Sequence, residues 1–295
     1  DLVREQLPEI TENQILLEPA RRNTAPCIAW AAWHIAARDP EASIIVSPSD
    51  HVITREHDFE SSVCTGFEFV ESHDALLTLG IEPSHPETGY GYIQVDEAVD
   101  GGICKVKTFT EKPDIELAKV FVRSGEFFWN SGIFLWSVKA IREAIRNHVP
   151  DIAAVFDSAP EGTFADHAAE TEFIDRAFPG CVSISIDYAV MERASNVYVE
   201  TVNFGWNDLG TWSALYDMSP KNRDTNVTQN CSVLTYNSTG NIFAVRGEKL
   251  IVVDGLKDYI VADADGVLLI CPKEREQEIK RMVTDAKVKF GDKYE

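Results

Sequence analysis

The sequence predicts an α/β domain with a mixed, mainly parallel sheet, followed by a small β-rich subdomain. Three observations carry this. Up to about residue 81, short apolar runs alternate with helical stretches, the order that builds parallel sheets with crossover helices. After about residue 220, helical spacing vanishes and short strands recur every ~8–12 residues between turn signals. The length of 295 residues and a hydrophobic content of 44% suffice for one large domain and an appendage. The expected division is 1–220 and 221–295.

Residues 1–8 read as the end of an amphipathic helix, with Leu2, Val3 and Leu7 on one face and Pro8 as its stop. A start in mid-element predicts that a preceding part of the fold is absent. Residues 14–17 follow as a short strand. Asn23 or Thr24 can cap the next helix, and Pro26 suits its first turn. That helix, reaching Arg38, is apolar on most sides and is expected to be buried, with His34 as a packed core residue. The loop before it sets Arg21, Arg22 and Asn23 at a helix N-terminus. This chemistry suits a phosphate or a base edge, or else plain capping with a surface ion pair.

Ile44, Ile45 and Val46 form a short apolar run, expected to be a fully buried strand, and Pro48 stops its pairing. Asp50 and His51 lie just past its carboxyl end, where open α/β sheets bind ligands. Asp50 is therefore a candidate ligand for a hard cation or a cap for the next segment; the residues alone leave the two even. Phe59, Val63, Phe67 and Val70 recur at helical spacing within 56–73, and 76–81 form another buried strand.

The stretch Glu87-Thr-Gly-Tyr-Gly-Tyr-Ile93 sets two glycines between aromatic residues. Glycine lets backbone amides approach a ligand, and tyrosine offers a flat face with a polar tip. Residues 103–109 alternate like a half-buried strand and lead to Glu111 and Lys112, one acceptor and one cation. These could hold a sugar hydroxyl and a phosphate, or form a surface ion pair. Pro113 opens a helix from Asp114 to about Arg123. Residues 127–136 are apolar apart from Asn130 and Ser131, which either satisfy backbone or face a ligand. Helices are expected over 137–148, 151–157 and 170–178, with a loop at 160–163. A further helix runs over 185–193 with Asp187 near its cap; Asp187 and Glu192 are ligand contacts or capping and surface charges. A strand at 197–202 runs into Phe204-Gly-Trp-Asn-Asp-Leu-Gly-Thr-Trp212. There Asp208 sits beyond a strand end, and could complete a metal site with Asp50.

In the last part, strands are expected over 231–236, 241–245, 249–253, 258–262 and 266–271. Turn signals lie at Ser238-Thr-Gly240, Asp254-Gly255 and Asp265-Gly266. The arrangement is a meander or β-helix-like. A final helix over about 273–288 has Ile279, Met282 and Val283 on its apolar side.

A net charge of −21 argues against nucleic acid or anionic lipid as partner, since basic patches supply that affinity. It leaves room for a nucleotide substrate, because a bound divalent cation offsets phosphate charge locally. The six cysteines are scattered, so neither a zinc site nor a redox pair is signalled. They read as core or surface thiols in a reducing compartment. With no signal peptide or membrane span in view, the chain reads as cytoplasmic.

Together, Glu18-Pro…Arg22-Asn-Thr-Ala-Pro26, Pro48-Ser-Asp-His51, Thr88-Gly-Tyr-Gly-Tyr-Ile93, Phe109-Thr-Glu-Lys-Pro113, Trp129-Asn-Ser-Gly-Ile-Phe134, Asp187-Tyr-Ala-Val-Met-Glu192 and Gly205-Trp-Asn-Asp-Leu-Gly-Thr-Trp212 resemble the mannose-1-phosphate guanylyltransferases of the sugar-nucleotidyltransferase superfamily. Order and spacing agree from residue 14 to about 215, and the later β segment looks like the family's C-terminal β region. The resemblance implies a Rossmann-like nucleotidyltransferase domain that converts GTP and mannose 1-phosphate to GDP-mannose and pyrophosphate, with Mg²⁺ as cofactor. It further implies that Asp50 and Asp208 hold the metal, and that Glu111 and Lys112 engage sugar hydroxyls and sugar phosphate. Asn130, Ser131, Asp187 and the Gly89-Tyr90-Gly91 loop would shape the sugar pocket. Arg22, Asn23 and Thr24 would lie by the guanine. By analogy the protein is a homodimer through its β-rich region.

Two departures stand out. The family's glycine-rich phosphate loop, Gly-Gly-x-Gly-x-Arg, is nowhere in these residues, and Arg21 stands where the family usually has glycine. The mid-helix start favours truncation over a defective homologue. The competing readings are a non-catalytic nucleotide-sugar-binding regulatory subunit and a nucleotidyltransferase for another hexose 1-phosphate.

Overall fold

The apolar runs of the first two-thirds become one sheet with helices on both faces. The computed structural model describes residues 2–245, 247, 249–264 and 266–291; part of the expected Asp265-Gly266 turn lies outside them. Contacts divide the chain into two compact units. One comprises residues 1–49 and 53–206, the other 50–52 and 207–295.

In the first unit, α1 (Leu2–Gln6) forms, but its apolar face stays exposed. The strand expected at 14–17 does not form. Glu12–Gln14 make a 3₁₀ turn, and the following residues are extended without a ladder partner. Next come α2 (Thr24–Ala36), β1 (Ser43–Val46), β2 (Val52–Ile53, with Val52 counted in the second unit), α3 (Glu56–Ser72), β3 (Leu76–Ile81), β4 (Gly91–Asp100) and β5 (Ile103–Glu111). They are followed by α4 (Ile115–Ser124), β6 (Phe127–Ser137), α5 (Val138–His148), α6 (Pro150–Asp157) and α7 (His167–Ala177). A π-helical turn (Asp187–Met191), β7 (Val197–Val202) and β8 (Trp206–Asn207, with Asn207 counted in the second unit) complete the series. Asn23 caps α2, its side chain accepting the Thr24 N–H at 2.9 Å. Asp114 and Ser137 cap α4 and α5 by accepting the N–H groups of Leu117 and Ala140, three residues on.

The sheet order is β1-β6-β3-β7-β5-β4, with β4 also touching β6. The sheet is mixed, but the expected mainly parallel ladders are corrected: β3 and β7 pair in parallel, and the other pairings are antiparallel. The reason is that β5, between β7 and β4, and β6, between β1 and β3, both run opposite to these neighbours. Strand β6 also explains a second correction. β1 pairs with β6 alone, so it is a half-buried edge strand rather than a fully buried one.

Side chains alternate along β6. Phe134 and Trp136 pack with α2, α5, α6 and α7, whereas Ile133 and Leu135 pack with the α3 and α4 side. Within the first layer His34 is buried as expected. Its Nδ1 meets the Glu170 carboxylate at 2.8 Å, and that carboxylate also accepts the Trp30 N–H.

The second unit contains α8 (Trp212–Met218), β9 (Val227–Gln229), β10 (Ser232–Tyr236), β11 (Ile242–Val245), β12 (Leu250–Asp254), β13 (Tyr259–Ala264), β14 (Val267–Pro272) and α9 (Ile279–Phe290). Parallel pairing of β9 with β11, β11 with β13, and β10 with β12 decides for a β-helix over a meander. Buried asparagines stack between its turns. Asn241 Nδ2 donates to Asn226 Oδ1 at 2.9 Å, and Asn241 Oδ1 accepts the Tyr259 N–H at 2.9 Å. Ile242, Phe243, Ile260 and Val261 fill the interior. The final helix begins later than expected, after a 3₁₀ segment Lys273–Glu278, and buries no residue.

Candidate active site

Within the first unit, four sequence-nominated positions converge where β5 ends, β6 bulges and the π-helical turn begins. The β3–β6 register shifts between Thr78 and Gly80. Opposite this shift lie Asn130, Ser131 and Gly132, and Gly132 takes φ 74°, a value glycine adopts without strain. Bulges re-aim side chains, and this one divides the polar pair. Ser131 is buried, its hydroxyl donating to Leu79 O at 2.6 Å, so it satisfies backbone rather than facing a ligand. Asn130 Nδ2 donates to Asp187 Oδ1 at 2.9 Å, while its Oδ1 accepts from Thr78 Oγ1 at 3.1 Å and Gly132 N–H at 3.3 Å.

Asp187 is the first residue of the π-helical turn, a form often found at functional sites. Burial raises its carboxyl above the usual range, opposed by the Asn130 bond and the Lys112 charge. Burial also raises Glu111, opposed by the hydrogen bond and charge of Lys112. Lys112 forms an ion pair with Glu111 and keeps a half-exposed side chain. Desolvation would lower its pKa, but the bond to Glu111 and the Glu111, Tyr188 and Asp187 charges outweigh it and hold the ammonium protonated. Its φ of 49° is held by the Lys112 N–H donated to Tyr90 O at 3.2 Å. A backbone in this region costs of order 1–3 kcal/mol and persists where the surroundings fix it. The site thus presents a half-exposed ammonium beside two carboxyls whose pKa values burial raises.

The 22–24 loop reads differently from expectation. The Arg22 guanidinium turns inward to the Pro179 carbonyl. Thr24 Oγ1 accepts the Ile186 N–H at 2.9 Å, and the Ala25 N–H donates to Ile184 O at 3.1 Å. Arg22 and Thr24 therefore brace the segment leading to Asp187. Asn23, exposed at φ 66°, keeps its side chain on its own cap.

In the second unit, Asp50 and Asp208 both act electrostatically on the half-buried His51. Burial lowers the His51 pKa, and the two carboxylates work against that. Asp50 is exposed, with Oδ1 3.8 Å from His51 Nε2. Asp208 Oδ1 accepts the Gly210 N–H at 3.0 Å, across Leu209 at φ 49°. A side chain at 210 would press on Asp208 Oδ2 at 2.7 Å, which accounts for the second glycine of the turn. Two carboxylates whose charges both reach His51 are of the type that suits Mg²⁺, which takes few protein carboxylates and completes its shell with phosphate and water oxygens. Among the described residues no group of three ligand-type side chains gathers.

The sequence alone assigns Glu87 no role. It is 5% exposed, and its Oε1 accepts the Thr88 and Gly89 N–H groups, each at 2.8 Å. An acid directly before Thr-Gly is the signal that could have found it, because a carboxylate there reaches back to the next two amides.

The comparisons address the fold and the family. A family model described as nucleotidyl transferase matches residues 1–225, and one described as a MannoseP isomerase/GMP-like beta-helix domain matches residues 234–285. The chain belongs to the nucleotidyl transferase family. Within it, the chain is 34% identical over 283 residues to a putative mannose-1-phosphate guanylyltransferase of Vibrio cholerae, and 37% identical over 289 residues to the alginate biosynthesis protein AlgA of Pseudomonas aeruginosa. Each match covers 96% of this chain and 60% or 59% of the relative, so the chain spans about three-fifths of their length. A solved Thermus thermophilus structure, described as a mannose-1-phosphate geranyltransferase, superposes with a TM-score of 0.81 at 26% identity. That match covers 97% of this chain and 81% of the other. A Helicobacter pylori mannose-6-phosphate isomerase superposes with a TM-score of 0.57 at 26% identity, over 70% of this chain and 80% of the other.

Proposed function

We propose that this chain carries the catalytic part of an enzyme that transfers GMP from GTP to mannose 1-phosphate, giving GDP-mannose and pyrophosphate. The supporting observation is the Lys112–Glu111–Asp187–Asn130 cluster, in a chain 34–37% identical to relatives bearing that activity or a polysaccharide-synthesis role in their names. In this reading the Lys112 ammonium binds the sugar phosphate and orients its oxygen toward the α-phosphorus. Glu111 and Asp187 take sugar hydroxyls, Asn130 holds Asp187, and the Gly89-Tyr90-Gly91 loop closes the pocket wall. The attacking oxygen forms the new P–O bond as the bond to pyrophosphate breaks, and pyrophosphate leaves with the electron pair. No covalent enzyme intermediate is needed, so catalysis is positioning plus charge neutralisation. Asp50 and Asp208 would hold Mg²⁺, which when bound neutralises triphosphate charge.

The loop at 22–24 lies by the base, with Asn23 and backbone groups as its recognition surface and Arg22 and Thr24 as braces. Residues 1–220 act as the nucleotidyltransferase domain and 221–295 as the β-rich subdomain. Exposed Leu234, Tyr236, Leu250 and Val252 on β10 and β12 support a homodimer through that subdomain. A cytoplasmic setting suits its six free thiols, and among the described residues no helix is long and apolar enough to cross a membrane.

The test is pyrophosphate release by the full-length protein with Mg²⁺ and mannose 1-phosphate, surveying GTP, UTP and dTTP beside this 295-residue form. Preference for GTP is expected. Preference for UTP or dTTP sinks the guanylyl assignment, and GDP-mannose binding without turnover makes the protein a regulatory subunit.

A further inference from the structure

Glu87 is a carboxylate in the wrong place for an idle one. It lies in the loop between β3 and β4, 5% exposed. A buried carboxylate is strongly unfavourable unless hydrogen bonds replace its water. Here Oε1 takes both the Thr88 and the Gly89 N–H at 2.8 Å, and Oε2 lies 3.6 Å from His85 Nε2. Burial alone would raise its pKa, yet these partners hold it below the usual carboxylate range. The Glu87 N–H donates to Tyr92 Oη at 2.9 Å, and the Tyr92 side chain is fully buried in β4. The loop is therefore anchored to the sheet on one side and wound around the acid on the other.

What the loop carries next is the sugar side of the site. A Cβ at Gly89 would stand 3.2 Å from Glu87 Oε1, and one at Gly91 would collide with Glu111 Oε2. Both glycines are thus explained by close approach to an acid. Between them, Tyr90 O accepts the Lys112 N–H at 3.2 Å, and the Tyr90 ring meets Trp129 and Trp206 edge-on with centroids 5.2 and 5.4 Å away. Glu87 fixes Gly89, and two residues further on the same loop abuts Glu111 and supports the left-handed backbone of Lys112.

We propose that Glu87 is a positioning residue: it touches no reacting atom, but by gathering the Thr88 and Gly89 amides it sets the Tyr90–Gly91 wall and, through it, Glu111 and Lys112 for the sugar phosphate. This rests on the reading of that cluster as the sugar-phosphate site. The consequence is asymmetric, because the acid governs the sugar side and not the nucleotide. Glutamine keeps a carbonyl oxygen where Oε1 stands and can accept both amides. Aspartate withdraws the acceptor by one methylene, and alanine removes it.

The experiment compares Glu87→Ala, Glu87→Gln and Glu87→Asp in the full-length protein. It reads KM for each substrate, kcat, and hydrogen exchange of the peptide spanning 88–91. Alanine and aspartate should raise the KM for mannose 1-phosphate about tenfold or more, the loss expected when hydrogen bonds to a charged group are broken. The KM for GTP should stay within about twofold, and exchange at Thr88 and Gly89 should accelerate. Glutamine should restore both readouts to near the parent values. Equal rises in both KM values, or an unchanged sugar-phosphate KM with alanine, overturns the proposal. So does unchanged exchange. Should the alanine variant fail to fold, aspartate against glutamine gives the same contrast. If the parent protein turns over neither GTP nor mannose 1-phosphate, the reaction assignment fails, while exchange at Thr88 and Gly89 still decides whether the acid holds the loop.

Discussion

Asp208 is the residue whose role can be separated most cleanly from its structural duty. One oxygen accepts the Gly210 N–H, while the carboxylate charge, with that of Asp50, bears on His51. Removing the side chain would confound the two. Asp208→Asn keeps an acceptor for Gly210 and deletes the charge, so the turn should survive and thermal stability should change little. Turnover at ordinary Mg²⁺ should fall by ~100-fold or more, since charge stabilisation of this kind is worth several kcal/mol. Activity near the parent level at the same Mg²⁺ concentration would remove Asp208 from the metal site. At this scale the sequence disclosed residue types at strand ends and little about their orientation. Asp50, Lys112 and Asp208 sit past strands, as the apolar runs and the alternation at 103–109 implied. That Ser131 turns to Leu79 and Arg22 to Pro179 was illegible, because each depends on a backbone group set by tertiary contacts, whereas Glu87 turns to the amides of its own next two residues and carried a local signal.

Among the elements, β7 contains the group least at ease in the fold. Glu200 is buried between the sheet and α3, with one carboxylate oxygen lacking a hydrogen-bond partner and Ser62 the nearest help. Burial pushes its pKa up to about 7, well above the 4.5 of an ordinary glutamate. The folded protein therefore keeps this proton where the unfolded chain has lost it. The stabilisation is fully present below the unfolded value and is lost as pH rises through about 7. Glu200→Gln removes the titration. Its unfolding free energy relative to the parent should climb by as much as about 3 kcal/mol between about pH 5 and pH 8. A difference that stays flat over that range, measured by denaturant unfolding, would show that the carboxylate stays solvated. Strand β7 itself was plain from Val197-Tyr-Val-Glu-Thr-Val202, as were most helices, because capping residues and apolar spacing are local signals. Direction and partner were not. The opposite entry of β6 is a matter of topology, and Gln14-Ile-Leu-Leu17 has strand character with no strand beside it. The β-helix was half legible. Its turns and spacing were visible, but meander and parallel coil differ by which rungs meet, and the Asn226–Asn241 stack that joins them needs the fold to be seen.

For the whole molecule, the governing quantity is charge. A chain of net charge −21 is proposed to bind two phosphorylated substrates, each of which it repels at long range. Cations such as Lys112 act only within a few ångströms of the phosphate, whereas the many acids act over a Debye length, about 10 Å at 0.1 M salt. Salt screens the long-range repulsion first and leaves close, partly desolvated contacts nearly intact. The second-order rate constant kcat/KM for mannose 1-phosphate, at fixed free Mg²⁺ and saturating GTP, should therefore rise severalfold as ionic strength increases from about 0.02 to 0.2 M. A basic nucleic-acid binder responds in the opposite sense, because its affinity comes from long-range attraction. A fall in kcat/KM over this range would mean that the field at the pocket mouth is positive despite the net charge. Cations gathered there, rather than the acids that dominate the composition, would then govern the approach of the sugar phosphate.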